Sequence, residues 1–162
     1  MARKCVFAGS FDPPTLGHKA VIEDCLKMFD EVVVAVLVNP NKVPFFTVEQ
    51  RLEMLRLTVG EGIERVKLLA FEGTVAELLE REGTDIYVRG IRNTVDFEYE
   101  NANFFASKKL NDKLTAVYLP CRQELLHVSS GMVRNSLAFG TPIHEYVPEA
   151  VEKYIRQAYK KD

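Results

Sequence analysis

The segment Gly9–His18 contains the residue types that a phosphate-binding site needs, in the order Gly-Ser-Phe-Asp-Pro-Pro-Thr-Leu-Gly-His. It follows the apolar run Cys5–Ala8 and precedes a stretch in which apolar residues recur with helical spacing. Glycine lets a ligand approach the backbone closely, and a helix N-terminus offers unpaired N–H groups and the positive end of a dipole. The Walker and Gly-x-Gly-x-x-Gly patterns are both absent. The segment therefore predicts an anion site at a strand–helix turn with His18 as its titratable group; the alternative is a solvated helix histidine.

A second cluster of charge, Arg89–Arg92, reads Arg-Gly-Ile-Arg and follows the apolar run Ile86–Val88. Two arginines that flank a glycine at a strand end can bind phosphate oxygens in a bidentate manner. The alternative is that both are surface arginines matched by the acidic run Asp96–Glu100. Their place at a strand end favours phosphate binding. Lys42, in a loop of asparagine and proline, is a further cation whose role its own surroundings leave open.

Five short apolar runs predict the strands that position these groups. The runs are Cys5–Ala8, Val32–Val38, Val66–Leu69, Ile86–Val88 and Ala116–Leu119. The second run is continuously apolar, which is typical of a strand covered on both faces. Helical patterns separate the runs, so the sequence predicts an α/β fold. It would be a Rossmann-like, doubly wound, five-stranded parallel sheet with helices on both faces, in a single domain over residues 1–162.

Helix starts are marked by capping residues. Thr47 with Gln50, and Thr74 with Glu77, form capping boxes in front of apolar residues with helical spacing. Ser130 is a further predicted cap, for a helix that stops near Gly140. The remaining predicted helices are one that begins around Gly17 and His18, one around Phe97–Phe105, and a terminal helix with Pro148 in its first turn.

Polar and glycine-rich residues follow each predicted strand directly. They are Gly9-Ser10, Asn39–Lys42, Glu72-Gly73, Arg89-Gly90 and Pro120–Ser130. In doubly wound sheets, ligands bind at the carboxyl ends of the strands near the switch in strand order. We therefore expect the five segments to converge on one rim.

The composition of the chain excludes several classes of protein. The 162 residues are 47% hydrophobic and 27% charged, with a formal net charge of −2 and signs interspersed, which argues against a general nucleic-acid binder. No apolar run is long enough for a signal peptide or a membrane span. The three cysteines lack metal-ligand spacing and suit a reduced, structural role, so a cytoplasmic protein without a protein-bound metal is expected.

The motifs together resemble the bacterial phosphopantetheine adenylyltransferases of the nucleotidylyltransferase superfamily. The resemblance is carried by Gly-Ser-Phe-Asp-Pro, by Thr-x-Gly-His, by Lys42 and by Arg-Gly-Ile-Arg-x-x-x-Asp-Phe-Glu-Tyr-Glu, in this order and over nearly the whole chain. It implies reversible transfer of the adenylyl group of ATP to 4′-phosphopantetheine, which gives dephospho-coenzyme A and pyrophosphate in coenzyme A biosynthesis. It also implies Mg²⁺ carried with ATP, coenzyme A as a feedback ligand, and a homohexamer with apolar residues of the terminal helix available for contacts.

The resemblance assigns roles to individual residues. The catalytic residues would be His18, which stabilises the transition state, Lys42 and Arg92. The ATP-binding residues would be Ser10, Phe11, His18, Gly90, Ile91, Arg92, Glu100, Leu125, Leu126, His127, Val128, Ser129, Ser130 and Gly131. The phosphopantetheine-binding residues would be Ser10, Lys42, Thr74, Val75 and Arg89.

The chain departs from the family pattern at two places. Gly131 stands where relatives commonly have a third hydroxyl residue, which preserves a backbone contact but removes a hydroxyl. Thr74 and Val75 replace two bulky apolar residues that contact the pantetheine arm in relatives. Two other functions remain open: transfer to another phosphorylated acceptor such as nicotinamide mononucleotide or glycerol phosphate, and a non-catalytic adenine-nucleotide sensor on the same fold.

Overall fold

A computed structural model describes residues 2–159 and contains one five-stranded sheet. The strands are β1 (Lys4–Gly9), β2 (Glu31–Leu37), β3 (Val66–Phe71), β4 (Ile86–Ile91) and β5 (Thr115–Pro120). All neighbouring strands are parallel, in the order β3-β2-β1-β4-β5. The predicted Rossmann-like parallel sheet is therefore confirmed.

Three strand ends were predicted too early, because the segment expected to follow each strand begins inside it: Gly9 lies inside β1, Pro120 lies inside β5, and β4 extends past the point where its side chains become polar. Arg89 and Gly90 were expected to follow the strand, but they lie inside it. Their backbones pair with Tyr118 and Leu119 of β5. A sheet ladder bonds backbone groups and continues whatever the side chains are, so the change from apolar to polar residues does not mark the end of pairing.

Within residues 2–159, six α-helices follow the pattern predicted from capping and spacing. They are α1 (Leu16–Met28), α2 (Val48–Val59), α3 (Val75–Glu82), α4 (Thr94–Lys108), α5 (Ser130–Phe139) and α6 (Glu149–Ala158). The capping boxes at Thr47 and Thr74 are both formed. The cap of α5 is Ser129 rather than Ser130, because the Ser129 hydroxyl accepts the backbone N–H of Met132 at 3.1 Å.

The sheet is covered on both faces, as the continuous apolar run in β2 predicted. Alternate residues of the central strands point to opposite sides. Cys5 and Phe7 of β1 pack with α1 and α2, whereas Val6 and Ala8 pack with α3. Two buried layers therefore fix β1 at the centre of the molecule.

A third apolar cluster joins the C-terminal part of the chain to α2. Val151 and Ile155 of α6 are buried against Met54 of α2 and Val133 of α5. The expectation that apolar residues of the terminal helix are available for subunit contacts is therefore wrong for these two side chains, which are used within the chain. The most exposed large apolar side chains on the described helices are Phe139 of α5, followed by Val95 and Tyr99 of α4.

The switch in strand order lies between β1 and β4. The chain runs outward from β1 through β2 to β3, and then returns to the other side of β1 for β4 and β5. A crevice opens at the carboxyl ends of β1 and β4 in sheets of this kind. Among residues 2–159, no helix is long and apolar enough to cross a bilayer.

We predict that shortening Leu79 of α3 destabilises the fold without reference to any ligand. Leu79 is fully buried in the layer that covers one face of the sheet, so Leu79→Ala removes contacts and leaves a cavity. We expect the free energy of unfolding to fall by about 2–5 kcal/mol in chemical denaturation. Leu110→Ala is the control, because Leu110 is 68% exposed. An equal loss in both variants would contradict the assigned layer.

Candidate active site

A cavity of about 280 Å³ opens at the switch point of the sheet. Its walls come from the carboxyl ends of β1, β4 and β5, the first turns of α1 and α5, and one face of α4. We call it the first cavity. The predicted residues that line it are Ser10, Phe11, His18, Arg89, Gly90, Arg92, Glu100, Val128, Ser129 and Ser130. The structure therefore brings His18 and Arg92 into one space.

His18 is held by the cap of α1, and this explains the spacing of the Thr-x-Gly-His motif. Thr15 is the N-cap residue, and its hydroxyl accepts the backbone N–H of His18. The imidazole bonds back, because the backbone N–H of Thr15 donates to His18 Nδ1 at 3.0 Å. This is a capping box in which a histidine takes the place that glutamate or glutamine usually fills.

The same hydrogen bond fixes the tautomer of His18. A nitrogen that accepts an N–H cannot carry a proton itself, so a neutral imidazole has its proton on Nε2. Burial, together with the charges of Arg89 and Arg92, lowers the pKa of His18 from 6.5 to about 4. At neutral pH the ring is therefore an uncharged Nε2–H donor.

Phe11 packs against the imidazole of His18. Its ring is 1% exposed and makes edge-to-face contacts with Phe7 and His18, at centroid distances of 5.3 and 4.8 Å. The backbone of Phe11 has a φ of +46°, which is uncommon for a residue other than glycine. The turn after β1 is thus held in a strained conformation by the burial of an aromatic ring.

Arg89 forms an ion pair with α4 and a hydrogen bond to a backbone carbonyl near the end of β1. It donates to Glu100 of α4 and to the carbonyl oxygen of Ala8, and its guanidinium lies 5.8 Å from the Tyr87 ring. Burial alone lowers the pKa of Arg89, but Tyr87 and Glu100 raise it, and the net direction is upward. Arg89 is therefore a permanent cation. Its buried Nε has no hydrogen-bond partner among the described residues.

The two residues of this ion pair are assigned to the binding of different substrates by the family resemblance. Arg89 was assigned to phosphopantetheine and Glu100 to ATP, yet both line the first cavity. The sequence alternative, in which the arginines pair with the acidic run, describes their contacts correctly. It does not exclude the phosphate interpretation, because the paired side chains still face the cavity.

Arg92 is tied to the first turn of α4 and to the loop before α5. Its Nε donates to Asp96 at 3.1 Å, and its Nη1 donates to the carbonyl oxygen of Val128 at 3.4 Å. Between the two arginines, Gly90 is required by packing. A Cβ at this position would lie 2.9 Å from Cγ2 of Val21. The Arg-Gly-x-Arg motif thus combines two cations with a close approach of β4 to α1.

A second cavity, of about 490 Å³, adjoins the first at the carboxyl end of β2. Three cationic side chains line it, namely Lys42, Arg51 of α2 and Arg134 of α5. The two cavities share Ser10 and Ser130. A ligand in one cavity would therefore meet a ligand in the other at these two serines.

Asp12 holds the loop that carries Lys42 against the turn after β1. Its carboxylate oxygens accept the backbone N–H groups of Phe45 and Phe46 at 2.7 and 2.9 Å. The Asp12 carbonyl in turn accepts a hydrogen bond from Arg134 at 2.7 Å. The position of Lys42 therefore depends on a carboxylate outside the predicted set.

Several predicted site residues lie outside the lining of both cavities. They are Thr74, Val75, Ile91, Leu125, Leu126, His127 and Gly131. Thr74 caps α3 at the end of β3, and His127 packs against Tyr146. Five strand ends were expected to converge on one rim. Four of them border the cavities, whereas the end of β3 borders neither. The ligand roles of these residues stay predictions.

Sequence reasoning assigned no site role to four charged residues that line the cavities, Asp12, Arg51, Asp96 and Arg134. A signal for Arg51 was present. It lies three residues after Val48 and four before Leu55, on the apolar face of a predicted helix, where a charged residue is unusual. Asp96 was interpreted only as part of an acidic run. Arg134 carried no comparable signal.

Comparison with protein families gives a match over residues 6–136 to the family described as cytidylyltransferase-like. A protein of Symbiobacterium thermophilum named phosphopantetheine adenylyltransferase is 41% identical, covering 98% of this chain and 97% of the relative. A protein of the same name from Prochlorococcus marinus is 37% identical, covering 97% and 99%. Both similarities extend over essentially the whole of each chain.

Solved structures show the same fold at lower identity. A putative nicotinate-nucleotide adenylyltransferase from Vibrio parahaemolyticus superposes with a TM-score of 0.73 at 24% identity, over 97% of this chain and 93% of its own. The nicotinic acid mononucleotide adenylyltransferase of Plasmodium falciparum, complexed with NaAD, gives 0.73 at 17% identity, over 96% and 95%. At these identities the comparison concerns the fold alone.

We predict that the His18 imidazole stays neutral until the pH falls to about 4. Burial and two neighbouring cations oppose its protonation, so between pH 6.5 and 4 an ordinary histidine gains a proton while His18 does not. A ¹⁵N and ¹³C NMR titration should give a midpoint near 4 and shifts typical of an Nε2–H tautomer. His18→Gln assigns the resonance. A midpoint near 6.5, or a proton on Nδ1, would contradict the geometry.

Proposed function

Because the chain belongs to the cytidylyltransferase-like family and, within it, to the phosphopantetheine adenylyltransferases, we propose that it transfers the adenylyl group of ATP to 4′-phosphopantetheine. The products are dephospho-coenzyme A and pyrophosphate, and the reaction is reversible. The observation that carries the proposal is the pair of cation-lined cavities that meet at Ser10 and Ser130. ATP occupies the first cavity, and the phosphorylated end of the acceptor reaches the junction from the second.

The reaction needs little proton transfer. A phosphate monoester has its second pKa near ~6, so the acceptor is already largely a dianion at neutral pH. One of its oxygens forms a bond to the α-phosphorus of ATP, and the bond to the bridging oxygen breaks. Pyrophosphate leaves with that electron pair. The main obstacle is repulsion between two polyanions, so the chain must supply positive charge and alignment.

The described residues supply both. Arg92 and His18 face the nucleotide cavity, and Lys42 faces the acceptor cavity. Because Nδ1 of His18 is occupied by Thr15, its Nε2–H is free to donate to a phosphoryl oxygen as charge develops there. Because the acceptor dianion is itself a nucleophile, the displacement is direct and in line, without a covalent intermediate.

Mg²⁺ would be held mainly by the nucleotide. The carboxylates of the first cavity, Asp96 and Glu100, are paired with Arg92 and Arg89. Residues 2–159 contain no group of three or more histidine, cysteine, aspartate or glutamate side chains placed to hold a metal ion. The ion, when bound, neutralises charge on the phosphates that become pyrophosphate.

The remaining family properties are part of the same proposal. The protein is cytoplasmic and a single domain, it assembles into a homohexamer, and it binds coenzyme A as a feedback ligand across the two cavities. The exposed side chains of Val95, Tyr99 and Phe105 support self-association through α4, because large apolar side chains otherwise favour burial. Sedimentation at several protein concentrations measures the assembly.

We predict that His18→Ala lowers turnover about a hundredfold or more, because it removes a donor that acts on the transition state. Pyrophosphate release with ATP and 4′-phosphopantetheine is the assay, with nicotinamide mononucleotide and glycerol phosphate as competing acceptors. His144→Ala is the matched control, since His144 is exposed and lines neither cavity. Transfer to another acceptor, or ATP binding without pyrophosphate release, would overturn the proposed function. Near-normal turnover of a folded His18→Ala protein would overturn the role of His18.

We predict that Lys42→Ala weakens phosphopantetheine binding more than ATP binding. Lys42 lines only the second cavity, so its charge acts on the acceptor at shorter range than on the nucleotide. Separate calorimetric titrations of the two ligands give both dissociation constants. Lys27→Ala, which alters an exposed lysine near the end of α1, should change neither. Equal weakening of both ligands by Lys42→Ala would remove the assignment of the second cavity to the acceptor.

A further inference from the structure

Arg51 is a charged residue on the buried face of α2, and the roles assigned so far do not use it. It is 4% exposed, which is rare for arginine unless the charge is compensated. No carboxylate among the described residues forms an ion pair with it. Asp12 lies in the same cavity, but its two carboxylate oxygens accept the backbone N–H groups of Phe45 and Phe46.

The guanidinium instead donates to two backbone carbonyls. Nη1 donates to the carbonyl oxygen of Ser10 at 3.0 Å, and Nε donates to that of Thr47 at 3.4 Å. Thr47 is the N-cap of α2, so one side of the fork is anchored in the helix that carries Arg51. The other side reaches the turn after β1. The planar fork thus connects the start of α2 to the segment that separates the two cavities.

The Ser10 carbonyl belongs to the peptide unit that sets the backbone of Phe11. Rotation about the N–Cα bond of Phe11 moves this peptide unit relative to the buried ring, and the observed φ of +46° costs on the order of 1–3 kcal/mol. The ring is fixed by Phe7 and His18 on one side of that bond. Arg51 fixes the carbonyl on the other side. Without it, the ring can stay buried while the Ser10 peptide turns.

Ser10 is the position where such a rotation matters most, because it lines both cavities. On the basis of the proposed function, we propose that Arg51 is a positioning residue for group transfer, which holds the Ser10–Phe11 turn so that the acceptor phosphate and the α-phosphorus are aligned. Alignment of two reacting groups is lost with displacements of about 1 Å that hardly alter binding of either one. The effect of Arg51 should therefore fall on kcat.

The experiment compares Arg51→Met, Arg51→Lys and Arg51→Ala in the full-length chain below the melting temperature of every variant. Arg51→Met keeps the packing of the side-chain stem, and we expect kcat to fall about tenfold or more. The dissociation constants of ATP and phosphopantetheine, measured separately, should change less than about threefold. Arg51→Lys should remain impaired, because a single ammonium does not reproduce the two-carbonyl fork. Guanidinium chloride at millimolar concentration should restore part of the kcat of Arg51→Ala.

Arg56→Met is the matched control. Arg56 lies on the same helix, is exposed and pairs with Glu53, so its removal should leave kcat unchanged. Unchanged kcat in Arg51→Met, equal losses in kcat and in both affinities, or no rescue by guanidinium would each overturn the proposal. Failure of both Arg51→Met and Arg51→Ala to fold would also overturn it, since it would assign Arg51 to the scaffold. Lack of transfer by the unaltered chain is a different result and refutes the proposed function itself.

Discussion

The loop between β1 and α1 is held in place by hydrogen bonds to parts of the chain between 33 and 122 residues away. Asp12 of this loop binds the segment before α2, and Arg51 of α2 donates to the Ser10 carbonyl. From α5, Ser130 and Arg134 donate to two further backbone carbonyls of the β1–α1 loop. Both cavities are defined by this one segment. A short loop can therefore organise a two-substrate site only after the whole fold has closed around it.

The sheet could be predicted from the sequence because its signals are local. An apolar run such as Val32–Val38 has to be covered on both faces, and capping boxes at Thr47 and Thr74 satisfy helix ends within four residues. The end of β4 and the cap of α5 were placed less well. Strand length depends on pairing with β5, and Ser129 and Ser130 are equally good caps in sequence terms.

The candidate site could be predicted only in part. His18 was found from the Thr-x-Gly-His motif and Arg92 from its position after a predicted strand, and the structure places both in the first cavity. Arg51 was not found, because its contacts to Ser10 and Thr47 arise from tertiary packing, although its place on an apolar helix face was visible. Pairing of Arg89 with the acidic run was present as the alternative interpretation, but the individual partner, Glu100, could not be named, since no spacing rule shows which face of α4 turns towards β4.

The small overlap between the cavities has an evolutionary consequence. Since Ser10 and Ser130 are the shared lining, most mutations in the loop after β2 alter one pocket and leave the other intact. Such a layout is modular. A lineage can exchange the recognition of one reactant by redesigning the segment from Leu37 to Val43, which lines the second cavity alone, while the inherited half of the catalyst continues to work unchanged.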